Sequence, residues 1–182
     1  MIEEHPRYNE IKDGLCGSEK LFNFLKDNQL IHHITSPDNF LKILNCGEIK
    51  YNNGSCRDSY PQSKNCYARY KKCISLFDII TPTFDELDMA IALWVSFTAN
   101  KKVFINLNFN KISNKLILNQ DFRDEARKLK KMRMPYIECI YPKSINLKLA
   151  NSFLFVKNNS FKKYLNTEEA LKQLKKDVKN QI

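Results

Sequence analysis

The chain has 182 residues, of which 43% are hydrophobic and 12% aromatic; this excludes a disordered chain and favours one folded domain over 1–182. Its formal net charge of +10 favours anionic partners without choosing among nucleic acid, a membrane surface and a phosphorylated ligand. No run approaches the roughly 20 apolar residues of a membrane span, and no secretory signal is evident. We therefore expect a cytoplasmic protein with reduced cysteines and no membrane association.

The first third of the chain contains the clearest local signals. Residues 1–16 are polar and irregular, and 18–28 fit a helix capped by Ser18. The segment 30–35, "LIHHIT", predicts a short strand, and "SPDNFLKILNCG" predicts a helix that Ser36 caps and Gly47 ends. A further short strand is expected at 48–51.

The remaining segments predict a mixture of strands and helices. Residues 52–72 form the longest stretch without periodicity, which indicates a functional or mobile loop. Strands are expected at 73–80, 103–109, 115–119, 135–141 and 152–157. Helices are expected at 83–93 capped by Thr83, at 121–132, and at 167–181 capped by Thr167. Because strands and helices do not alternate, the pattern favours an α+β fold with mostly antiparallel strands. The C-terminal basic helix spans about 167–180.

The strand at 30–35 presents polar groups at its end. With a period of two, Ile31, His33 and Thr35 share one face, and His32 lies on the other. The helix that follows begins at once, and its free N–H groups form a ready anion site. The segment therefore fits the binding of a phosphorylated ligand, although a structural histidine is the more common explanation of such a pattern.

A second candidate is Glu138, an acid in the middle of the apolar stretch 135–141. If Tyr136 points inward, Glu138 does too, and an inward carboxylate is a candidate catalytic group; the alternative is an edge-strand glutamate in water. Ser75 lies inside another apolar strand, where it can simply bond neighbouring backbone. The loop at 52–72 carries tyrosines and arginines suited to a planar, anionic ligand. A mobile surface loop would explain it as well.

The absence of familiar sequence motifs argues against several classes of enzyme. The chain has no GxGxxG, GxxxxGK[ST], GxSxG or HExxH sequence, so nucleotide-fold dehydrogenases, P-loop enzymes, α/β-hydrolases and zincins lose support. No CxxC pair is present, and the cysteine spacings differ from those of structural zinc sites. No metal site is predicted.

Three segments together resemble a known family. "IHHITSPDNFLKIL" is similar to the opening motif of bacterial ADP-ribosyltransferase toxins that modify DNA (the DarT type), with Thr35 and the Asp38–Asn39 pair at matching positions. "YARYKKCISLFD" resembles a second element with a small hydroxyl residue, and Glu138 lies where the family keeps its catalytic glutamate. The resemblance implies an ADP-ribosyltransferase-like fold with its core at about 29–157, in which two small, mostly antiparallel sheets with flanking helices form an NAD cleft.

The resemblance also implies roles for individual residues. NAD would be the substrate, with its phosphates near the helix start that includes Asn39. His33 and Thr35 would bond a ribose, and Ser75 would support the nicotinamide pocket. Tyr70 would stack on the nicotinamide ring. Glu138 would stabilise an oxocarbenium-like transition state and orient the acceptor.

The arginine that the family places after its first helix is matched by Arg69, or alternatively by Arg57. The implied function is an NAD-dependent ADP-ribosyltransferase that releases nicotinamide and modifies nucleic acid, or alternatively protein. A toxin, effector or phage-defence role fits this function. An antitoxin is then a possible partner, and the protein would act in the cytoplasm, either of its own cell or of a target cell into which it is delivered. The rivals are a non-catalytic basic nucleic-acid-binding module and a relative of RNA 2′-phosphotransferases.

Overall fold

The computed structural model describes residues 2–4, 27–54, 56, 63–83, 85–87, 89–90, 102–157 and 160–181. Nine strands lie in these residues: β1 (Ile2–Glu4), β2 (Leu30–Thr35), β3 (Glu48–Ile49), β4 (Ile74–Phe77), β5 (Lys102–Asn108), β6 (Glu138–Tyr141), β7 (Ile145–Asn146), β8 (Ala150–Lys157) and β9 (Ser160–Leu165). The predicted helix at 18–28 lies outside the described residues, apart from its last two positions.

The α-helices of the described residues are α1 (Pro37–Cys46), α2 (Tyr67–Tyr70), α3 (Phe109–Ile112), α4 (Asn119–Lys128) and α5 (Glu168–Gln181). Single 3₁₀ turns occur at Ser63–Asn65, Ser113–Lys115 and Leu147–Leu149. Residues 85–87 and 89–90 are also helical. None of the described helices is long and apolar enough to cross a membrane.

Seven of the strands form one sheet, in the order β1-β9-β8-β5-β2-β4-β6, and β3 pairs separately with β7. All ladders between these strands are antiparallel. The prediction of an α+β fold with mostly antiparallel strands is confirmed. The sheets differ from the expectation, because the described strands form one large sheet and one strand pair and not two small sheets.

Successive side chains of a strand point to opposite faces, and both faces of the large sheet carry buried apolar side chains. One face, called here the α1 face, carries Ile31, Ile105 and Phe153, and it packs against buried side chains of α1 and α5. The opposite face carries Leu30, Ile34, Phe104 and Leu154, which form one cluster with Leu87 and Ala90, and it is called here the Leu87 face. Successive residues of β2 therefore enter different cores, as predicted from the sequence.

The local signals at α1 act as predicted. Ser36 has an extended backbone, and its Oγ accepts a hydrogen bond from the Asn39 N–H at 3.3 Å. Gly47 has φ +76°, and its N–H donates to the Ile43 carbonyl at 2.9 Å. A left-handed glycine after the last turn supplies this bond without a Cβ penalty. At the predicted Thr83 cap, the Thr83 Oγ1 accepts from the Glu86 N–H, and a Glu86 carboxylate oxygen accepts from the Thr83 N–H; this is a capping box.

Several element predictions are wrong in detail. The expected strand at 115–119 contains one isolated bridge, between Ile117 and Ile140, because α4 already begins at Asn119. The unpatterned segment 52–72 contains α2, which is short but caps itself through Cys66. Strand β9 was not predicted. Residues 2–4, expected to be irregular, form the edge strand β1 against β9.

Candidate active site

Glu138 is the first residue of β6 and is buried, with 5% of its surface exposed. The Ser75 hydroxyl donates to its Oε1 at 2.8 Å, and the Met134 N–H donates to its Oε2 at 2.6 Å. Each carboxylate oxygen thus has a protein partner. A buried carboxylate needs such donors, because water no longer solvates its charge.

Burial raises the pKa of Glu138, and the bonds from Met134 and Ser75 and the charge of Arg133 oppose that rise without cancelling it. The carboxylate therefore holds a proton more tightly than a glutamate in water. A buried acid with a raised pKa and a defined hydrogen-bond shell is a typical acid/base candidate, since catalytic groups need a pKa near the working pH.

The described part of the chain contains a second buried acid, Asp78, which is 2% exposed. Its carboxylate accepts from the N–H groups of Ile80 and Thr81 and from the Thr81 hydroxyl. All three donors lie within three residues of it, so the group closes a local turn after β4. Glu138 differs because its donor Ser75 lies 63 positions away, on a neighbouring strand.

Asn119, the first residue of α4, holds the turn before Glu138. Its Nδ2 donates to the carbonyls of Met134 at 3.1 Å and Glu138 at 3.0 Å, and its Oδ1 accepts from Arg133 Nη1 at 3.3 Å. Asn119 is 7% exposed, and Arg133 is half-buried. Burial lowers the pKa of Arg133, and the charge of the Glu138 carboxylate opposes that lowering. A side-chain amide and a guanidinium therefore fix the backbone that carries the carboxylate.

The turn itself contains a strained residue. Tyr136 has φ +65°, a left-handed conformation that costs a residue with a Cβ about 1–2 kcal/mol. The predicted strand at 135–141 consequently begins only at Glu138, and the expectation that Tyr136 and Glu138 share a strand face is wrong. Non-glycine residues in this conformation cluster at functional sites.

His33 reaches the same group of strands. Its Nδ1 lies 2.9 Å from the Ser75 carbonyl oxygen, and because a carbonyl only accepts, Nδ1 carries the proton. The β2–β4 ladder contains one pair, His32 with Phe77, so the His33 ring bonds a strand carbonyl beyond that pair. Burial lowers the pKa of His33, against the opposing effect of this bond, which favours a neutral imidazole.

The structure brings His33, Ser75 and Glu138 together on adjacent strands but from two sides of the sheet. The strand pairing places Ser75 and Glu138 on the Leu87 face, and His33 lies on the α1 face with Ile31. Ser75 connects them through its carbonyl on one side and its hydroxyl on the other. A single ligand in contact with both His33 and Glu138 would have to pass through the sheet. It would cross between β2 and β4, beyond the one residue pair that joins these strands.

Thr35 and Asn39 flank the start of α1, as the sequence predicted. Both are largely buried, at 3% and 8% exposed. They share the α1 end of β2 with His33, so the structure groups these three predicted ligand residues at one strand–helix junction.

Arg69 and Tyr70 lie on α2 and face other surroundings. Arg69 Nη2 lies 3.1 Å from the place where a Cβ on Gly54 would be, so its guanidinium packs on the loop after β3. Tyr70 is 52% exposed, and its ring centroid lies 5.3 Å from Lys131 Nζ. Arg57, the alternative to Arg69, lies outside the described residues.

A small cavity of about 40 Å³ adjoins the turn, and Thr81, Asn119, Arg123 and Tyr136 are among its lining residues. Pockets for drug-sized ligands are about 300–1,000 Å³, so this cavity alone does not hold a dinucleotide. Among the described residues, no group of three or more His, Cys, Asp or Glu side chains could hold a metal ion.

Sequence reasoning missed Asn119, Arg133 and the Met134 N–H. Asn119 stood at the end of an expected strand, and no local pattern marks a backbone donor.

Comparison of the chain with protein-family models, with curated proteins and with solved structures finds no match.

Proposed function

We propose that the protein is an NAD-dependent ADP-ribosyltransferase whose acceptor is nucleic acid, with protein as the other candidate acceptor. The observation that carries the proposal is the order β2-β4-β6 in the sheet. It makes neighbours of the three strands with the three family-like motifs. The Ser75 contacts to His33 and Glu138 then link the residues to which the resemblance gives roles. A toxin, effector or phage-defence role belongs to the same proposal.

In this reaction the bond between the nicotinamide nitrogen and C1′ of the ribose breaks, and nicotinamide leaves with the electron pair. The Glu138 carboxylate stabilises the positive charge that develops on the ribose. A nucleophile of the acceptor then forms a bond to C1′, and its proton passes to the Glu138 carboxylate. The raised pKa of Glu138 suits the last step, because a more basic carboxylate takes a proton more readily.

The proposal requires the site to open. Glu138 is 5% exposed, and both of its oxygens accept protein hydrogen bonds. The strained turn at Tyr136 lies directly before Glu138 and is the element whose movement would release the Met134 N–H from Oε2. The acceptor and the ribose would then replace the Ser75 and Met134 donors.

To test the proposal, the purified protein is incubated with labelled NAD⁺ in separate reactions that contain DNA, RNA or lysate protein. ADP-ribose bound to each acceptor is then detected. Wild type should label one of these acceptors, and Glu138→Gln should not. Glutamine should keep the fold, because its Oε1 can accept from Met134 and its amide can donate to the Ser75 hydroxyl. Glu168→Gln changes an exposed acid of α5 and is the matched control. Absence of both labelling and NAD⁺ hydrolysis would overturn the proposal.

A second candidate is a non-catalytic nucleic-acid-binding module. The observation that favours it is that both oxygens of the Glu138 carboxylate accept hydrogen bonds from the protein, which is also what a structural acid needs. A module of this kind binds nucleic acid with strong salt dependence. Its affinity is unchanged in Glu138→Gln, and it releases no nicotinamide.

A further inference from the structure

Two segments distant in sequence form one continuous surface beside the sheet. The Tyr67 N–H donates to the Met132 carbonyl at 2.9 Å, and the Met132 N–H donates to the Asn65 carbonyl at 3.0 Å. Lys131 Nζ donates to the Asn65 side chain at 3.1 Å. Beneath them, the Tyr67 ring stacks on Phe122 of α4 at 4.8 Å. The start of α2 is therefore fixed to the segment after α4.

This surface is strongly basic. Two acids of α4 are paired: Glu125 with Lys71 at 3.1 Å, and Asp124 with Arg123 and Arg127. In the part of the chain that the structure describes, no carboxylate pairs with the remaining lysines, which are Lys64, Lys72, Lys128, Lys130 and Lys131. These lysines and Tyr70 are called here the α2–α4 surface.

Two of these lysines occupy positions that favour glycine. Lys72 has φ +55° and Lys130 has φ +52°, and each directly follows the end of a helix. The next residue closes the helix by a long bond: the Cys73 N–H donates to the Ala68 carbonyl at 2.8 Å, and the Lys131 N–H to the Ala126 carbonyl at 2.9 Å. Glycine is the usual residue in this motif because it has no Cβ penalty. Lysine at both positions keeps a charge at the expense of stability.

The α2–α4 surface also presents an exposed aromatic ring. The Tyr70 ring is 52% exposed and lies 5.3 Å from Lys131 Nζ. Met132 and Leu129, in the chain segment after α4, are 47% and 38% exposed. Single-stranded nucleic acid combines a line of negative charges with unstacked bases, and proteins bind it with basic grooves that carry aromatic side chains. A duplex hides its bases, and an anionic membrane offers no ring to stack.

We propose that the α2–α4 surface binds single-stranded nucleic acid, with a base stacked on Tyr70 and phosphates at Lys72 and Lys130. If the transferase function proposed above holds, the bound strand is the acceptor of ADP-ribose. This acceptor role rests on the proposed function, whereas binding of the strand does not. Binding itself needs no NAD⁺.

The experiment measures fluorescence anisotropy of labelled single-stranded DNA, single-stranded RNA and duplex DNA over a range of salt concentrations, without NAD⁺. We expect tighter binding of a single strand than of duplex. Tyr70→Leu should weaken that binding about tenfold, the effect of one lost stacking contact. The double variant Lys72→Gly, Lys130→Gly should lower the salt slope by about 2, one per lysine, while its melting temperature equals or exceeds that of wild type. Lys148→Gln, Lys179→Gln removes two exposed lysines elsewhere and is the matched control.

The glycine variant separates binding from folding, because a purely structural role of these lysines predicts a more stable protein with unchanged affinity. That result would overturn the proposal. So would equal losses in the control double variant, equal affinity for duplex and single strands, binding to anionic vesicles without binding to oligonucleotides, or no oligonucleotide binding at all. Absence of oligonucleotide binding by a wild-type protein that still releases nicotinamide would refute this surface and leave the transferase function standing. The reverse result would refute the transferase alone.

Discussion

Asn119→Ala tests the hydrogen-bond network that fixes Glu138. The change removes the Nδ2 donor from two carbonyls, those of Met134 and Glu138, at 3.1 and 3.0 Å. A buried acceptor that loses its donor costs about 1–3 kcal/mol, so the two together cost about 2–6 kcal/mol. Alanine recovers about 0.5 kcal/mol as a better helix former, and water entering the turn reduces the loss further. We expect the free energy of unfolding to fall by about 2–4 kcal/mol.

The assay is urea denaturation followed by circular dichroism, with Asn114→Ala as the control. Asn114 is exposed in a 3₁₀ turn, and its replacement should change the free energy of unfolding by less than about 0.5 kcal/mol. If Asn119→Ala were as mild as the control, the two carbonyls would not depend on Asn119, and the network would have no role in holding Glu138.

Three further predictions concern pH and backbone. The folded-state pKa of Glu138 lies above its ordinary value of 4.5, so the folded protein binds the proton more tightly and loses stability as pH rises through that pKa; Glu138→Gln should lack this loss in denaturation measured from pH 4 upward. Burial lowers the pKa of His32 to about 3, so below pH 6.5 the unfolded chain binds a proton at His32 that the folded protein does not bind. The free energy of unfolding should therefore fall with pH, by about 2 kcal/mol at pH 5. His32→Phe should remove that acid sensitivity, and an unchanged pH profile would show that His32 is not buried and neutral. Gly54 has φ +106°, and a Cβ there would lie 3.1 Å from Arg69 Nη2; Gly54→Ala should lower the free energy of unfolding by about 1–2 kcal/mol, and a neutral result would refute the described loop.

Local signals in the sequence were sufficient for β2 and α1. A strand of alternating residues, a serine cap with proline after it, and a terminal glycine each act within a few residues. Strand β9 escaped because its lysines, Lys162 and Lys163, obscure the alternation of its apolar residues. The left-handed turn at Tyr136 was also invisible, since no residue type there signals a positive φ.

The candidate site depends on contacts that no local pattern encodes. The Ser75–Glu138 bond spans 63 residues, and its existence follows from the pairing of β4 with β6. The residue pattern identified both residues only as polar groups in apolar strands, and their roles came from the family resemblance. It could not assign His33 and Glu138 to opposite faces of the sheet, because the face of each strand is set by the register with its neighbours.

The most direct test of the transferase is the release of nicotinamide from NAD⁺ by purified wild type and Glu138→Gln, quantified by chromatography. We expect release by wild type and a rate lower by about 10²-fold or more in Glu138→Gln, with both proteins unfolding cooperatively. Equal rates in the two proteins, or no release by folded wild type with any acceptor present, would contradict the transferase proposal.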